Sequence, residues 1–123
     1  MSRLLVIDDE ESILDIIQFI FVNEGYEVKT ISNPTLAFGA IENFKPDVIL
    51  LDIKMPEMDG RDLCMQLKSK YTIPVILVSA NNNLEETYAN YRADGFLSKP
   101  FDIDVLTNQV YQFANKQQIT TNY

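Results

Sequence analysis

The chain has no histidine, one cysteine and four glycines among its 123 residues. A single cysteine cannot form a disulfide within the chain, so packing must hold the fold together. Cys64 lies between Leu63 and Leu67 in a helical pattern, and we predict that it is an inert core residue. The absence of histidine also disfavours a zinc site.

Long apolar runs and basic charge are also lacking. No uninterrupted apolar run exceeds four residues, whereas a membrane helix needs about 20. The N-terminal run Leu4–Ile7 is too short for a secretory signal, so we expect a cytoplasmic protein. The balance of 10 basic against 18 acidic residues gives a net charge of −8. That charge opposes direct binding of this domain to nucleic acid or anionic membranes.

The chain is long enough for one hydrophobic core, since 46% of its 123 residues are hydrophobic. It is too short for two domains of ordinary size. We therefore predict a single domain over residues 1–123, with a polar tail from about residue 115.

Short apolar runs alternate with amphipathic stretches along the whole chain. Leu4–Ile7, Val48–Leu51 and Val75–Val78 are apolar throughout, as expected of central strands covered on both faces. Tyr26–Ile31 and Gly95–Leu97 are weaker and are predicted nearer the sheet edges. The alternation predicts an α/β fold with an open, doubly wound (βα)₅ parallel sheet.

The amphipathic stretches predict five helices. Gly25 is predicted to end the first, Asn33 and Pro34 to begin the second, and Asp102 to cap the fifth. Asn83 and Glu86 resemble a capping box for the fourth. The apolar stripes, in chain order, are Ile13, Ile16, Ile17, Ile20 and Phe21; Ala37, Ala40, Ile41 and Phe44; Leu63, Cys64 and Leu67; Leu84, Thr87, Tyr88 and Tyr91; and Ile103, Leu106, Val110 and Phe113.

Acidic residues follow two of the predicted central strands. Asp8 and Asp9 come directly after the first strand and Asp52 directly after the third. The carboxyl ends of parallel strands share one edge of the sheet, so these side chains should converge. Each pair of carboxylates repels by about 1 kcal/mol at 4 Å in water and about 4 at an intermediate dielectric. An oxygen-only site of this kind suits Mg²⁺.

The same edge carries groups for phosphoryl chemistry. A carboxylate can attack a phosphoryl group if positive charge neutralises the phosphoryl oxygens. Lys99 follows the fifth strand and Ser79 ends the fourth. Each residue alone has an ordinary structural explanation, as a helix cap, a turn residue or a surface lysine. Their convergence at four strand ends favours a phosphoryl-transfer site.

Four segments together closely resemble the response-regulator receiver family. They are residues 6–10 (VIDDE), 51–60 (LDIKMPEMDG), 78–80 (VSA) and 97–101 (LSKPF), and the likeness covers essentially the whole chain. The resemblance implies a flavodoxin-like five-stranded sheet of order 2-1-3-4-5. It also implies a two-component response regulator that receives a phosphoryl group from a sensor histidine kinase or phosphotransfer protein in a Mg²⁺-dependent reaction.

The resemblance assigns a role to each site residue. Asp52 is the implied phosphoacceptor, and Lys99 is implied to contact the phosphoryl group. The implied metal ligands are Asp9 and Asp52 directly, Asp8 chiefly through water, and the backbone carbonyl of Lys54.

The resemblance also implies a conformational switch. Ser79 would move to bond the phosphoryl group, and Phe96 would turn inward to fill the vacated space. The Lys99–Pro100 bond is expected to be cis. Phe96 replaces the commoner tyrosine, and Arg92 stands where a glycine is usual.

We further hypothesise that Lys54 and Asn81, which flank the path of attacking water in this family, set the lifetime of the phosphoryl group. The alternative is that the Lys54 side chain merely points to solvent, since only its backbone is needed for metal binding.

Three other functions are compatible with parts of the pattern. A phosphatase of the haloacid dehalogenase type needs a second acid two residues after its nucleophile, where this chain has Lys54. A flavodoxin-like cofactor binder needs a G-x-G loop, and none of the four glycines forms one. A constitutive binding module would have lost the acceptor, an acid or the lysine, and none is lost. We expect a domain that catalyses its own phosphorylation and dephosphorylation rather than a turnover enzyme.

Partner surfaces follow from the same resemblance. Output would pass through the surface of the predicted fourth helix, fifth strand and fifth helix, to an effector protein or to an output domain beyond Tyr123. A homodimer through that surface is a further possibility, although Tyr88 and Tyr91 could equally face the core.

Overall fold

The computed structural model describes residues 2–80 and 91–115. Five strands occur in this part of the chain: β1 (Arg3–Ile7), β2 (Glu27–Ile31), β3 (Val48–Asp52), β4 (Val75–Ser79) and β5 (Gly95–Ser98). The helices described are α1 (Glu11–Asn23), α2 (Ala37–Phe44), α3 (Gly60–Lys70) and α4 (Ile103–Ala114). The predicted fifth helix is therefore α4 here. The predicted fourth helix, apart from Tyr91, and the tail beyond residue 115 lie outside the described residues.

The strands form one parallel sheet in the order β2-β1-β3-β4-β5. This confirms the predicted topology and the edge positions of β2 and β5. Every residue of β3 and β4 is buried, as their unbroken apolar sequences require for central strands.

The sheet separates two hydrophobic cores. Leu5 and Leu51 point into the core that contains α2 and α3, whereas Leu4 and Leu50 point into the core that contains α1 and α4. Successive side chains of a strand point to opposite faces, so each central strand supplies both cores. Cys64 is fully buried in the first of these cores, as predicted.

Short polar side chains begin several of the helical segments. The Asn33 side chain accepts a hydrogen bond from the Thr35 amide, and Asp102 accepts one from the Asp104 amide. The Asp102 cap is as predicted, but Asn33 starts a 3₁₀ turn, Pro34–Leu36, and α2 begins only at Ala37. Gly25 follows α1 with φ of +90°, which fits its predicted role as the stop.

Two predicted helix faces are partly wrong. The buried stripe of α1 is Leu14, Ile17 and Phe21, and the Ile16 side chain is 53% exposed. Apolar residues surround most of α1, so the sequence alone did not indicate which side meets the sheet. In α4 the buried stripe is Leu106, Val110 and Ala114. These residues have the spacing i, i+4, i+8 and lie on a face of the helix that does not include Ile103, which is 56% exposed.

None of the helices described is both long enough and apolar enough to cross a membrane.

Candidate functional site

Three carboxylates meet at the carboxyl edge of the sheet. Asp8 follows β1, and Asp52 is the last residue of β3 rather than the first residue after it. Carboxylate oxygens of Asp8, Asp9 and Asp52 all lie within 4.8 Å of one another. Asp8 and Asp52 are only 3% and 6% exposed, and Asp9 is more open to solvent. The predicted convergence of these residues is confirmed.

Lys99 joins the carboxylates from the end of β5. Its Nζ donates to Asp8 Oδ2 at 2.9 Å and lies 3.5 Å from Asp52 Oδ1. Its backbone amide donates to the Ser79 carbonyl at 2.8 Å, which fixes the start of the loop after β5 against the end of β4. The Lys99–Pro100 peptide bond is cis, as predicted. One cation thus lies among three anionic groups.

Burial and charge shift the proton affinities of this cluster. Burial and the negative charge of Asp8 raise the pKa of Asp52, the ammonium of Lys99 lowers it, and the net pKa is about 6. Burial by itself would lower the pKa of Lys99, but the hydrogen bond to Asp8 and the charges of Asp52 and Asp8 leave it raised overall. The protonated Lys99 is therefore the form that these carboxylates favour.

Asp8 is held by both of its carboxylate oxygens. Oδ2 accepts from Lys99, and Oδ1 accepts from the Glu10 amide at 2.9 Å. No role for Glu10 was predicted from the sequence. The only sequence signal was the short Asp-x-Glu spacing before a helix, which is typical of an aspartate accepting from the amide two residues on.

Gly60 packs closely against the backbone of Asp52. Its amide donates to the Ile53 carbonyl at 2.8 Å. A Cβ at position 60 would lie 2.0 Å from the Asp52 carbonyl oxygen, so only glycine allows this approach of α3 to β3. Gly60 belongs to the motif at residues 51–60, but this contact was not predicted from the sequence.

The remaining predicted site residues lie around the cluster. Ser79 is buried at the end of β4, and its register partner in β5 is Ser98. Phe96 is half-buried and packs against the core that contains α2 and α3. Lys54 is exposed, and Asn81 lies outside the described residues.

The donor set fits a hard divalent cation. Carboxylate oxygens from three residues, one of them open to solvent, are the ligands that Mg²⁺ takes, with water completing the shell. The shared negative charge of Asp8 and Asp52 gives a cation at this position a favourable field.

A family model described as the response regulator receiver domain matches residues 4–111. The chain belongs to this family. The receiver resemblance and the flavodoxin-like fold predicted from the sequence are both confirmed.

Named relatives of this receiver domain are similar over most of its length. The Sensory transduction protein RegX3 of Mycolicibacterium smegmatis is 32% identical over 103 residues, covering 82% of this chain and 45% of that protein. The Alkaline phosphatase synthesis transcriptional regulatory protein PhoP of Bacillus subtilis is 32% identical over 121 residues, covering 96% of this chain and 50% of PhoP. The chain thus spans about half the length of the curated relatives it matches.

Solved structures agree with the fold of the receiver domain. A CheY-like receiver domain protein from Methanospirillum hungatei superposes with a TM-score of 0.88 at 29% identity, covering 98% of both chains. NtrX from Brucella abortus gives a TM-score of 0.88 at 28% identity and covers 98% of this chain but 29% of its own. The same fold therefore occurs both as nearly a whole chain and as part of a longer one.

Proposed function

We propose that the receiver domain accepts a phosphoryl group on Asp52, donated by the phosphohistidine of a sensor histidine kinase or phosphotransfer protein. The observation that carries the proposal is the setting of Asp52. This buried carboxylate ends β3, shares its site with two other carboxylates, and has a lysine ammonium 3.5 Å from Oδ1. Such a site can attract and neutralise a phosphoryl group, whereas an isolated buried aspartate could not.

Each residue would make a specific contribution to the transfer. An Asp52 carboxylate oxygen attacks phosphorus and forms an acyl phosphate as the bond from phosphorus to the histidine nitrogen breaks. Lys99 would exchange part of its contact with Asp8 for the phosphoryl oxygens and neutralise their charge. The amide of Glu10 would keep Asp8 in position while Lys99 moves.

Mg²⁺ is the proposed cofactor of this site. Asp9 and Asp52 would bind it directly, with Asp8 acting through water and the Lys54 carbonyl completing the protein ligands. When bound, Mg²⁺ would supply positive charge to the phosphoryl oxygens.

The switch and the phosphoryl lifetime are proposals at the same site. A phosphoryl group adds about 1.5 to 2 negative charges and three acceptor oxygens. Ser79 would bond one of those oxygens, and Phe96 would turn into the space that this movement leaves. Lys54 and Asn81 would set how quickly water removes the phosphoryl group.

The proposed output surface includes β5 and α4. Ile103, Val105 and Tyr111 are exposed apolar residues of α4, which supports a partner surface on this helix. The partner would be an effector protein, an output domain of a longer chain or a second copy of this domain.

We further propose that residues 1–123 form one domain that acts in the cytoplasm.

The decisive experiment is intact-mass spectrometry after incubation with acetyl phosphate, with and without Mg²⁺. The expected result is a Mg²⁺-dependent gain of one phosphoryl group in the parent chain and none in Asp52→Asn. Asp62→Asn is the matched control, because Asp62 is an exposed carboxylate in the first turn of α3, two residues after the motif at residues 51–60. It should gain the group as the parent does.

The same experiment tests the other candidate, a constitutive binding module. No adduct in the parent, under conditions that preserve acyl phosphates, would favour that module. A Mg²⁺-dependent adduct that persists in Asp52→Asn would move the phosphoacceptor to another residue.

A further inference from the structure

An apolar pocket opens beside the carboxylate cluster. Its volume is about 360 Å³, which is within the usual range for small-molecule sites. Ile13, Ile16 and Ile17 of α1 form one wall, and Phe101 lines it from the loop after β5. Glu10 and Lys99 contribute the charged groups of its lining.

The pocket and the phosphoacceptor site share residues. Lys99 lines the pocket, and its Nζ is 2.9 Å from Asp8 and 3.5 Å from Asp52. Glu10 also lines it, and the Glu10 amide holds the other oxygen of Asp8. A ligand whose anionic end meets Lys99 can therefore extend directly into apolar surroundings.

The apolar wall is incompletely covered by protein. Ile16 is 53% exposed although it is a large aliphatic residue on a helix that packs against the sheet. Exposed apolar surface within a concave site next to a charged group is typical of a site for an amphipathic ligand.

We infer that this pocket receives the alkyl chain of a small-molecule acyl phosphate, so that the domain takes phosphoryl groups preferentially from donors with longer chains. The inference rests on the proposed function of Asp52. An alkyl chain needs no hydrogen-bond partners and suits the isoleucine wall, while the phosphate end of the same molecule suits Lys99.

The transfer from such a donor is balanced without an added acid or base. An Asp52 carboxylate oxygen forms a bond to phosphorus as the bond from phosphorus to the acyl oxygen breaks. The leaving carboxylate departs with the electron pair, and no proton moves. Acetate and butyrate are leaving groups of nearly equal basicity, so a rate difference between their acyl phosphates reports binding of the chain.

The test compares acetyl phosphate with butyryl phosphate in the presence of Mg²⁺, by intact mass at donor concentrations well below saturation. Each methylene buried in the pocket should raise the second-order rate by about fourfold, and two by up to about 15-fold. Ile16→Asn should reduce the butyryl-to-acetyl ratio at least threefold. Phe19→Asn is the control, because Phe19 is 73% exposed on the same helix and does not line the pocket.

The outcomes separate the two proposals. Equal rates for both donors in the parent, with an adduct on Asp52, would overturn the pocket inference and leave the phosphoacceptor in place. A ratio that falls equally in Ile16→Asn and Phe19→Asn would also overturn it. Failure of both donors to give an Asp52-dependent adduct would overturn the inference together with the proposed function.

Discussion

The chemistry of single residues depends on whether their surroundings offer a partner for charge. Asp52 is buried beside Lys99, so its carboxylate has a cation at 3.5 Å. Cys64 is fully buried and has apolar neighbours, and burial raises the pKa of its thiol to about 12. Two buried titratable groups in adjacent layers therefore have opposite reactivities. One is a proposed nucleophile, and the other stays protonated.

The first prediction concerns Cys64. In the native protein its thiol should react with a disulfide reagent such as DTNB at least about 100-fold more slowly than a free thiol at pH 8, because the thiolate is scarce and buried. Full reaction should follow in denaturant. The control is Cys64→Ala combined with Ser69→Cys, which puts an exposed thiol on the same helix. Equal rates for the two native proteins would refute the burial of Cys64.

The second prediction contrasts two glycines. Gly60→Ala should lower the free energy of unfolding by at least about 2 kcal/mol, because the new methyl group collides with backbone atoms of β3 that cannot move aside cheaply. Gly39→Ala lies in α2 with nothing within 4 Å of the added Cβ. That change should raise stability by about 0.5 to 1 kcal/mol. Urea unfolding measures both, and similar effects would rule out the close approach at Gly60.

At the scale of elements, the loop before β5 contains a strained position. Arg92 has φ of +66°, in the left-handed region that favours glycine. A residue with a Cβ raises the energy of the native state by about 1 to 2 kcal/mol at this φ. Glycine would remove that strain, but its greater conformational freedom in the unfolded chain would offset part of the gain in stability. The arginine at this position therefore has an energetic cost that can be measured.

The third prediction follows from that backbone geometry. Arg92→Gly should stabilise the native state by up to about 1 kcal/mol, measured by urea unfolding. Arg92→Ala removes the same charge but retains Cβ, so it should give no such gain. If both variants change stability equally, the cause is the charge and not the backbone.

Much of the fold could be predicted because the strands carry unambiguous patterns. Val48–Leu51 and Val75–Val78 have no polar residue, which is typical of a parallel strand covered on both faces. The orientation of α1 was harder to predict, because Ile13, Ile16 and Ile20 surround its buried stripe and periodicity cannot rank them. Which face of α1 is buried depends on its contacts with the sheet, whose residues are distant from α1 in the sequence.

The residues that make up the candidate site could be predicted from the sequence, but the contacts between their side chains could not. Parallel strands bring their carboxyl ends together, so Asp8, Asp52 and Lys99 had to be neighbours. The closer contact of Lys99 with Asp8 than with Asp52 depends on side-chain positions that no spacing encodes. The approach of Gly60 to Asp52 likewise depends on how closely α3 packs on β3.

At the scale of the whole molecule, the chain carries a net charge of −8, and three of its 18 acidic side chains meet at one edge of the sheet. Three carboxylates there raise the energy of the native state, because their mutual repulsion is only partly offset by Lys99. A divalent cation that binds this edge only in the native state must therefore stabilise the entire fold.

The fourth prediction is that Mg²⁺ raises the melting temperature. At ten times its dissociation constant it should add about 1.4 kcal/mol of stability, or about 5 °C. NaCl at matched ionic strength is the control for general screening of negative charge. In Asp9→Asn, which changes the most open carboxylate of the cluster, the Mg²⁺ effect should shrink to the NaCl effect. An undiminished Mg²⁺ shift in that variant would remove Asp9 from the metal site.

The division of the interior by the sheet also limits how the length of this chain can change. Leu4 and Leu50 belong to one core, and Leu5 and Leu51 to the other. Inserting or deleting one residue within β1 or β3 would send every later side chain of that strand to the wrong face. Such a change would scramble both cores at once, whereas a loop can gain a residue without altering either. Descendants of this sequence can therefore accept gains and losses of residues between the strands, while the strands themselves can diverge only by substitution.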